Sequence, residues 1–187
     1  MEEEQKYIEL HRQYHASKKE RMEGRMKPTH IRKIGALIKS TESKALLDYG
    51  CGKAQHYISD KIHERWNVEM PKLYDPAIDE FAEMPTCTFD GVICKDVMEH
   101  IPECAIDKTL DHIMSLAEWF VYCHISTRPA HATLLNGENA HVTIRDHDWW
   151  LEKIQKLRDE NNYSCFILVS TQKGLTIKSI AQVIIRE

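Results

Sequence analysis

The chain lacks a long uncharged apolar run, a C-x-x-C pair among its six cysteines, and a basic leader ahead of an apolar stretch. The first absence argues against a membrane-spanning helix. The second argues against a zinc ribbon or a thioredoxin-type redox pair. The third argues against a secretory signal, since Met1-Glu2-Glu3-Glu4 is acidic where such a signal is basic. Cys51, Cys87, Cys94, Cys104, Cys123 and Cys165 are scattered, so we expect reduced thiols in a cytoplasmic protein. Metal binding is not expected either. His-x-x-x-His spacing occurs only at His11 and His15, and no carboxylate pair completes a site there.

What is present fits one soluble domain of 187 residues with an ordinary 29% of charged side chains. The net charge of −4 conceals an asymmetry. Residues 11–39 carry nine Lys/Arg against Glu20 and Glu23, a surplus of seven positive charges that leaves the remainder strongly acidic. Such a segment either contacts phosphates or an acidic substrate, or is simply a solvated helix face.

Only seven glycines occur, and two of them stand in Ala45-Leu46-Leu47-Asp48-Tyr49-Gly50-Cys51-Gly52-Lys53-Ala54. An apolar run ends in a carboxylate, then come two glycines one residue apart, then a segment of helical character. That is a strand, a tight turn and a helix. Glycines let the backbone turn sharply and a ligand approach it, and the first turn of a helix offers unpaired N–H groups. A dinucleotide turn needs G-x-G-x-x-G, and Gln55 stands where its third glycine would be. The pattern D-x-G-x-G-x-A resembles instead the first motif of the class I, Rossmann-like S-adenosylmethionine (SAM) methyltransferases. The resemblance implies that Tyr49, Gly50, Cys51 and Gly52 hold the aminoacyl end of SAM, with Asp48 meeting the cofactor directly or through water.

Before this turn, residues 3–22 and Pro28 to Lys39 have helical periodicity; in the resemblance residues 1–40 cover the cofactor site of a core at 41–187. After it, Gln55 to Trp66 reads as one helix, with Tyr57, Ile58, Ile62 and Trp66 as its apolar stripe, and Pro71 to Tyr74 as a strand ending in Asp75-Pro76. A carboxylate at a second strand tip accepts both ribose hydroxyl protons, which makes Asp75, with Pro76 beside it, the ribose candidate. Ala77 to Met84 reads as a short helix, and the usual third strand is missing or reduced to Thr86-Cys87-Thr88. Phe89 to Cys94, Ile106 to Glu118 and Trp119 to Ile125 follow as strand, helix and buried strand. Ser126 to Arg145 is a loop long enough to be a lid or binding surface. Asp146 or Asp148 is placed to cap a helix from Trp149 to Asn161, and Tyr163 to Ser170 with Thr176 to Arg186 reads as an antiparallel hairpin. The fold expected is α/β: a class I methyltransferase sheet, mostly parallel, with a C-terminal antiparallel hairpin.

Asp96-Val97-Met98-Glu99-His100-Ile101 also resembles the loop after the fourth strand of small bacterial and phage-encoded methyltransferases of this class. It implies Asp96 at the methionine moiety of SAM and His100 on the acceptor side as general base, unless Glu99-His100 merely orders the next helix. His141 is a second base or substrate residue, and Arg128 an anchor for an anionic acceptor group. Neither Asp/Asn-Pro-Pro-Tyr nor a Pro-Cys nucleophile is present, so the acceptor expected is a small molecule, nucleotide or sugar rather than duplex DNA. A monomer or homodimer is expected. Two alternatives use the same pocket: a SAM-binding protein without transferase activity that acts through partners, and a lyase-like breakdown of SAM.

Overall fold

Apolar runs too short for helices become strands: β1 (Leu46–Tyr49), β2 (Lys72–Tyr74), β3 (Phe89–Lys95), β4 (Ala117–Ile125) and β5 (Phe166–Thr171). Helices fall around and between them: α1 (Glu2–Ser17), α2 (Pro28–Thr41), α3 (Gln55–Ile58), α4 (Ile62–Trp66), α5 (Glu103–Ser115) and α6 (His147–Glu160). The structure, a computed structural model, describes residues 2–17, 26–171 and 179–180. The five strands are parallel, in the order β2-β1-β3-β4-β5. A two-residue strand, β6 (Ser179–Ile180), pairs antiparallel with β5 at the edge. The turn of the expected hairpin and most of its return strand lie outside the described residues, as do Gly24 and the expected end of the first helix at Met22.

Alternation along each strand sends neighbouring side chains to opposite faces. Leu47, Val92, Cys94, Val121, Cys123, Ile167 and Val169 pack against α5 and α6, where Ile106, Ile113, Trp150 and Ile154 are buried. Leu46, Ile93, Phe120, Tyr122 and Leu168 face the other way, toward Ile34 and Ile38 of α2, Tyr57 of α3 and Ile62 of α4. Helices therefore cover both faces, and the near-continuous apolar strands follow from double burial. This α/β arrangement is compatible with a Rossmann-like fold. Between β1 and β3 the strand order reverses: the chain leaves β1 for β2 on one side and returns to β3 on the other. Ligands of open parallel sheets sit at such a reversal, beyond the carboxyl ends of the strands.

Two local expectations are corrected, and one open alternative is decided. The helix expected over Gln55–Trp66 is two, α3 and α4. Lys61 takes a left-handed conformation (φ 47°), and the Gln55 carbonyl accepts from both Ser59 and Asp60, so the first helix stops there. Ser and Asp compete with helical backbone bonding, and Ile58, counted in the apolar stripe, is instead exposed. Residues Ala77 to Met84 hold only the 3-10 turn Asp79–Phe81, since the Asp75 side chain accepts from Ala77 N–H and diverts the backbone into a side-chain turn. No strand forms at Thr86–Thr88, which leaves β2 as the sheet edge. Asp146 caps α6, its carboxylate accepting from Trp149 N–H at 2.8 Å.

Candidate active site

At the reversal between β1 and β3 lies a cavity of about 1600 Å³. Asp48, Tyr49, Gly50, Cys51, Gly52, Asp75, Pro76, Asp96 and His100 all line it. The structure thus brings together every cofactor-side residue expected from the sequence. Arg128 and His141 are not on its wall. Arg128 is exposed on the long loop, and His141 stands one ring behind His100, with ring centroids 4.8 Å apart.

The turn after β1 has positive φ at Gly50 (82°) and Gly52 (54°), and Ala54, in the position of the usual third glycine, shares that conformation at 50°. Asp96, at the tip of β3, is left-handed as well (φ 56°). Strained backbone at two adjacent strand tips is characteristic of ligand sites. The N–H groups of the turn are not left unpaired, as the sequence suggested. Gly50 and Cys51 both donate to the Tyr74 carbonyl, and Gly52 donates to Asp75 Oδ2 at 2.8 Å. With α3 only four residues long, no helix dipole supports the turn. Its contribution is close backbone approach instead.

Asp75 is buried and held by two backbone donors, Gly52 to Oδ2 and Ala77 to Oδ1. Each carboxylate oxygen has two acceptor positions, so one on each remains for a ligand. Burial raises the Asp75 pKa, against the pull of those N–H donors and of His15. Beneath the turn, Asp48 is 2% exposed and accepts from His56 Nε2 at 3.0 Å. His56, on α3, is a partner that sequence reading missed; its place eight residues after Asp48 is the only signal. Cys51 is no nucleophile, because burial drives its thiol pKa far upward.

At Asp96, burial works against ionisation, but Lys95 pairs with the carboxylate and the net effect is a lowered pKa. Asp96 N–H donates to the His124 carbonyl at 2.8 Å, which ties this strand tip to β4. His100 is pushed down to about 3 by burial and by the His11 and His141 rings beside it. It is a neutral imidazole at pH 7 and a weak base. Its Nδ1 lies 2.8 Å from the Ala140 carbonyl, which can only accept, so Nδ1 carries the hydrogen and Nε2 the lone pair.

The far wall is α1. Tyr7, Ile8, His11, Arg12 and His15 face the cavity, and sequence reading assigned none of them. The helix is fastened at both ends of the opening. Tyr14 packs with Leu134 and Ala140 of the long loop, and Tyr7 Oη donates to Glu138 at 2.7 Å. Arg12 reaches the Asp79 carboxylate and the Pro76 carbonyl at 2.7 and 2.9 Å. His11 Nε2 and His15 Nδ1 are buried without a partner. Orphaned polar atoms on a cavity wall are free to meet a polar ligand.

Behind His100, Glu99 is fully buried. Its Oε1 accepts from Ser126 N–H at 2.9 Å, and its Oε2 has no partner. Burial first, and the Asp96 charge second, raise its pKa to about 8. Among the described residues no helix is long and apolar enough to cross a membrane, and all six cysteines are free. No protein family, no curated protein and no solved structure matches the chain.

Proposed function

We propose that the chain is a SAM-dependent methyltransferase acting on a small-molecule or nucleotide- or sugar-type acceptor. The observation that carries this reading is the convergence of the Gly50–Gly52 turn, the Asp75 carboxylate and Asp96 on one cavity at the sheet's reversal point. Its volume exceeds the range of roughly 300–1000 Å³ that suits one small ligand, leaving room for a cofactor and an acceptor together. In this reading the ribose hydroxyls donate to the open lone pairs of Asp75. The methionine carboxylate approaches the glycine turn, and its ammonium meets Asp96, which Lys95 keeps anionic. Pro76 and Tyr49 flank the nucleoside.

Methyl transfer from a sulfonium is an in-line displacement, in which the acceptor's lone pair forms the new bond while the S–CH₃ pair returns to sulfur. The protein must hold acceptor and methyl about 3 Å apart and exclude water. Helix α1 supplies that exclusion. A neutral His100 accepts a hydrogen bond from the acceptor and orients it, and a basicity near pH 3 suits this better than removing a proton. A hydroxyl acceptor of high pKa then needs further activation, whereas an amine or thiolate does not.

Titration calorimetry with SAM and its demethylated product, on the wild type and on Asp75→Asn, tests the reading. We expect one site of micromolar affinity for both ligands, weakened at least tenfold in the variant, whose amide keeps an acceptor for one backbone donor. Wild type that binds neither ligand at millimolar concentration would refute it.

A further inference from the structure

The buried carboxylate of Glu99 has one oxygen with no partner, and two imidazoles stand near it. Glu99, His100 and His141 each place one potential ligand atom within 4.8 Å of the other two. The three come from two separate loops. Glu99 and His100 lie on the 3-10 turn Met98–His100 that follows β3, and His141 lies on the long loop after β4. No helical His spacing is involved, so the sequence test for a metal site could not see them.

The group is built with the supports that metal ligands have. His100 Nδ1 donates to the Ala140 carbonyl at 2.8 Å, and His141 Nδ1 donates to the Arg128 carbonyl at 2.6 Å. Both carbonyls fix the same tautomer, leaving Nε2 of each ring with its lone pair free of that bond. Metal-ligating histidines are oriented in this way by the other ring nitrogen. Glu99 Oε1 is held by Ser126 N–H, which aims the carboxylate and leaves Oε2 available. The loop carrying His141 is itself pinned. Asn139 Oδ1 accepts from Ala130 and His141 N–H, while Val142 and Thr143 N–H both donate to the Glu99 carbonyl. Thr143 Oγ1 closes the arrangement by donating to the Ile101 carbonyl at 2.6 Å.

We propose that Glu99, His100 and His141 form a binding site for a divalent first-row transition-metal cation. Two imidazoles and one carboxylate are the donor set such ions take, and three protein ligands leave coordination positions open for water or a substrate oxygen. Ligands around one ion at about 2.1 Å stand roughly 3–3.5 Å from each other, so the three donors close by small side-chain rotations. His141, half-buried at the loop surface, has the freedom to make them. His100 also lines the large cavity, so the proposed site adjoins that cavity through this one ring. A metal on His100 Nε2 takes the lone pair that otherwise accepts from the methyl acceptor, so the ring serves one of the two at a time; the metal site concerns protein free of any nucleoside and does not depend on the SAM reading.

The test titrates the metal-free full chain with zinc(II) by calorimetry and with cobalt(II) by visible absorption, in the absence of SAM. The variants are Glu99→Gln, which keeps an oxygen for Ser126 N–H but loses the anionic ligand, and His141→Ala on the half-buried loop. His131→Ala, at an exposed histidine of the same loop, is the control. The expected result is one ion per chain with ligand-field bands for cobalt. Affinity should fall by about 100-fold in Glu99→Gln and His141→Ala and by less than about threefold in the control. Should Glu99→Gln not fold, His141→Ala decides alone. No binding by the wild type, or equal affinity in His141→Ala and wild type, overturns the proposal. So does a site lost with His131.

Discussion

Replacing Gly50 by alanine separates two costs that the neighbouring Gly52 does not combine. At Gly50, φ is 82° and an added Cβ would stand 2.3 Å from Val97 Cγ2 and 2.9 Å from Cγ1. At Gly52, φ is 54° and an added Cβ meets nothing within 4 Å. The left-handed backbone costs an L-residue about 1–2 kcal/mol at either position. The overlap with Val97 adds roughly 1–3 kcal/mol at Gly50 alone, the usual range for forcing a methyl into packed surroundings. We expect Gly50→Ala to lose about 2–5 kcal/mol by urea unfolding, and Gly52→Ala about 1–2 kcal/mol. Val97→Ala removes both γ carbons, so Gly50→Ala combined with Val97→Ala should be less unstable than the two single losses added together. The expected coupling is about 1–3 kcal/mol. Equal losses of stability in the two glycine variants, or strict additivity in the double variant, would refute the clash between Gly50 and Val97. Calorimetry on the same proteins links the turn to function: Gly50→Ala, by displacing Val97 on the cavity wall, should weaken SAM more than Gly52→Ala does.

Gly91 lies in the middle of β3 with the Phe120 ring where its Cβ would be, 2.3 Å from Cε1 and Cζ, so Gly91→Ala should cost about 2–4 kcal/mol. Phe120→Leu in that background should restore part of the loss; thermal melts that show no recovery would contradict the contact. His30, whose Nδ1 lies 2.6 Å from Tyr122 Oη, is held at about 4 by burial and by the nearby His124 and Lys95. Below pH 6.5 the unfolded chain takes up a proton that the folded chain refuses until about pH 4, so stability falls as pH drops through that window. The loss is as much as roughly 3 kcal/mol, and His30→Gln should reduce the slope of the unfolding profile between those limits, leaving the share that the other buried histidines contribute; parallel profiles would rule out His30 as a titrating group. Arg12→Ala removes exposed contacts that add little to stability, under about 1 kcal/mol, but it frees α1 from the tip of β2. Stopped-flow binding should show SAM entering and leaving faster, and unchanged rates would mean that α1 does not gate the cavity.

The glycine turn, the acid at the second strand tip and the buried strands were legible because each rests on local pattern: Gly50 and Gly52 one residue apart, Asp75 before a proline, Val121 to Ile125 apolar but for His124. The break at Lys61 was not, since a helical stripe of Tyr57, Ile58 and Ile62 outweighed the turn-forming Ser59-Asp60, and only the exposure of Ile58 reveals which prevailed. The N–H groups of the turn were misjudged for a different reason. Their partners, the Tyr74 carbonyl and the Asp75 carboxylate, are some 25 residues away in sequence and come close only through the β1–β2 pairing. The same holds for Glu99 with His141, and for α1, whose wall of His11, Arg12 and His15 depends on tertiary contacts at Leu134, Glu138 and Asp79. A basic segment on its own gives no address.

We propose that the crevice at the carboxyl ends of β1, β2 and β3 accepts a sulfonium nucleoside. Amide NMR of the labelled protein, titrated with SAM and separately with its demethylated product, addresses that statement residue by residue. The largest shifts are expected at Gly50, Gly52, Ala77 and Asp96, saturating at one ligand per chain. Saturable shifts elsewhere with those four amides unmoved, or no shifts at all, would contradict it.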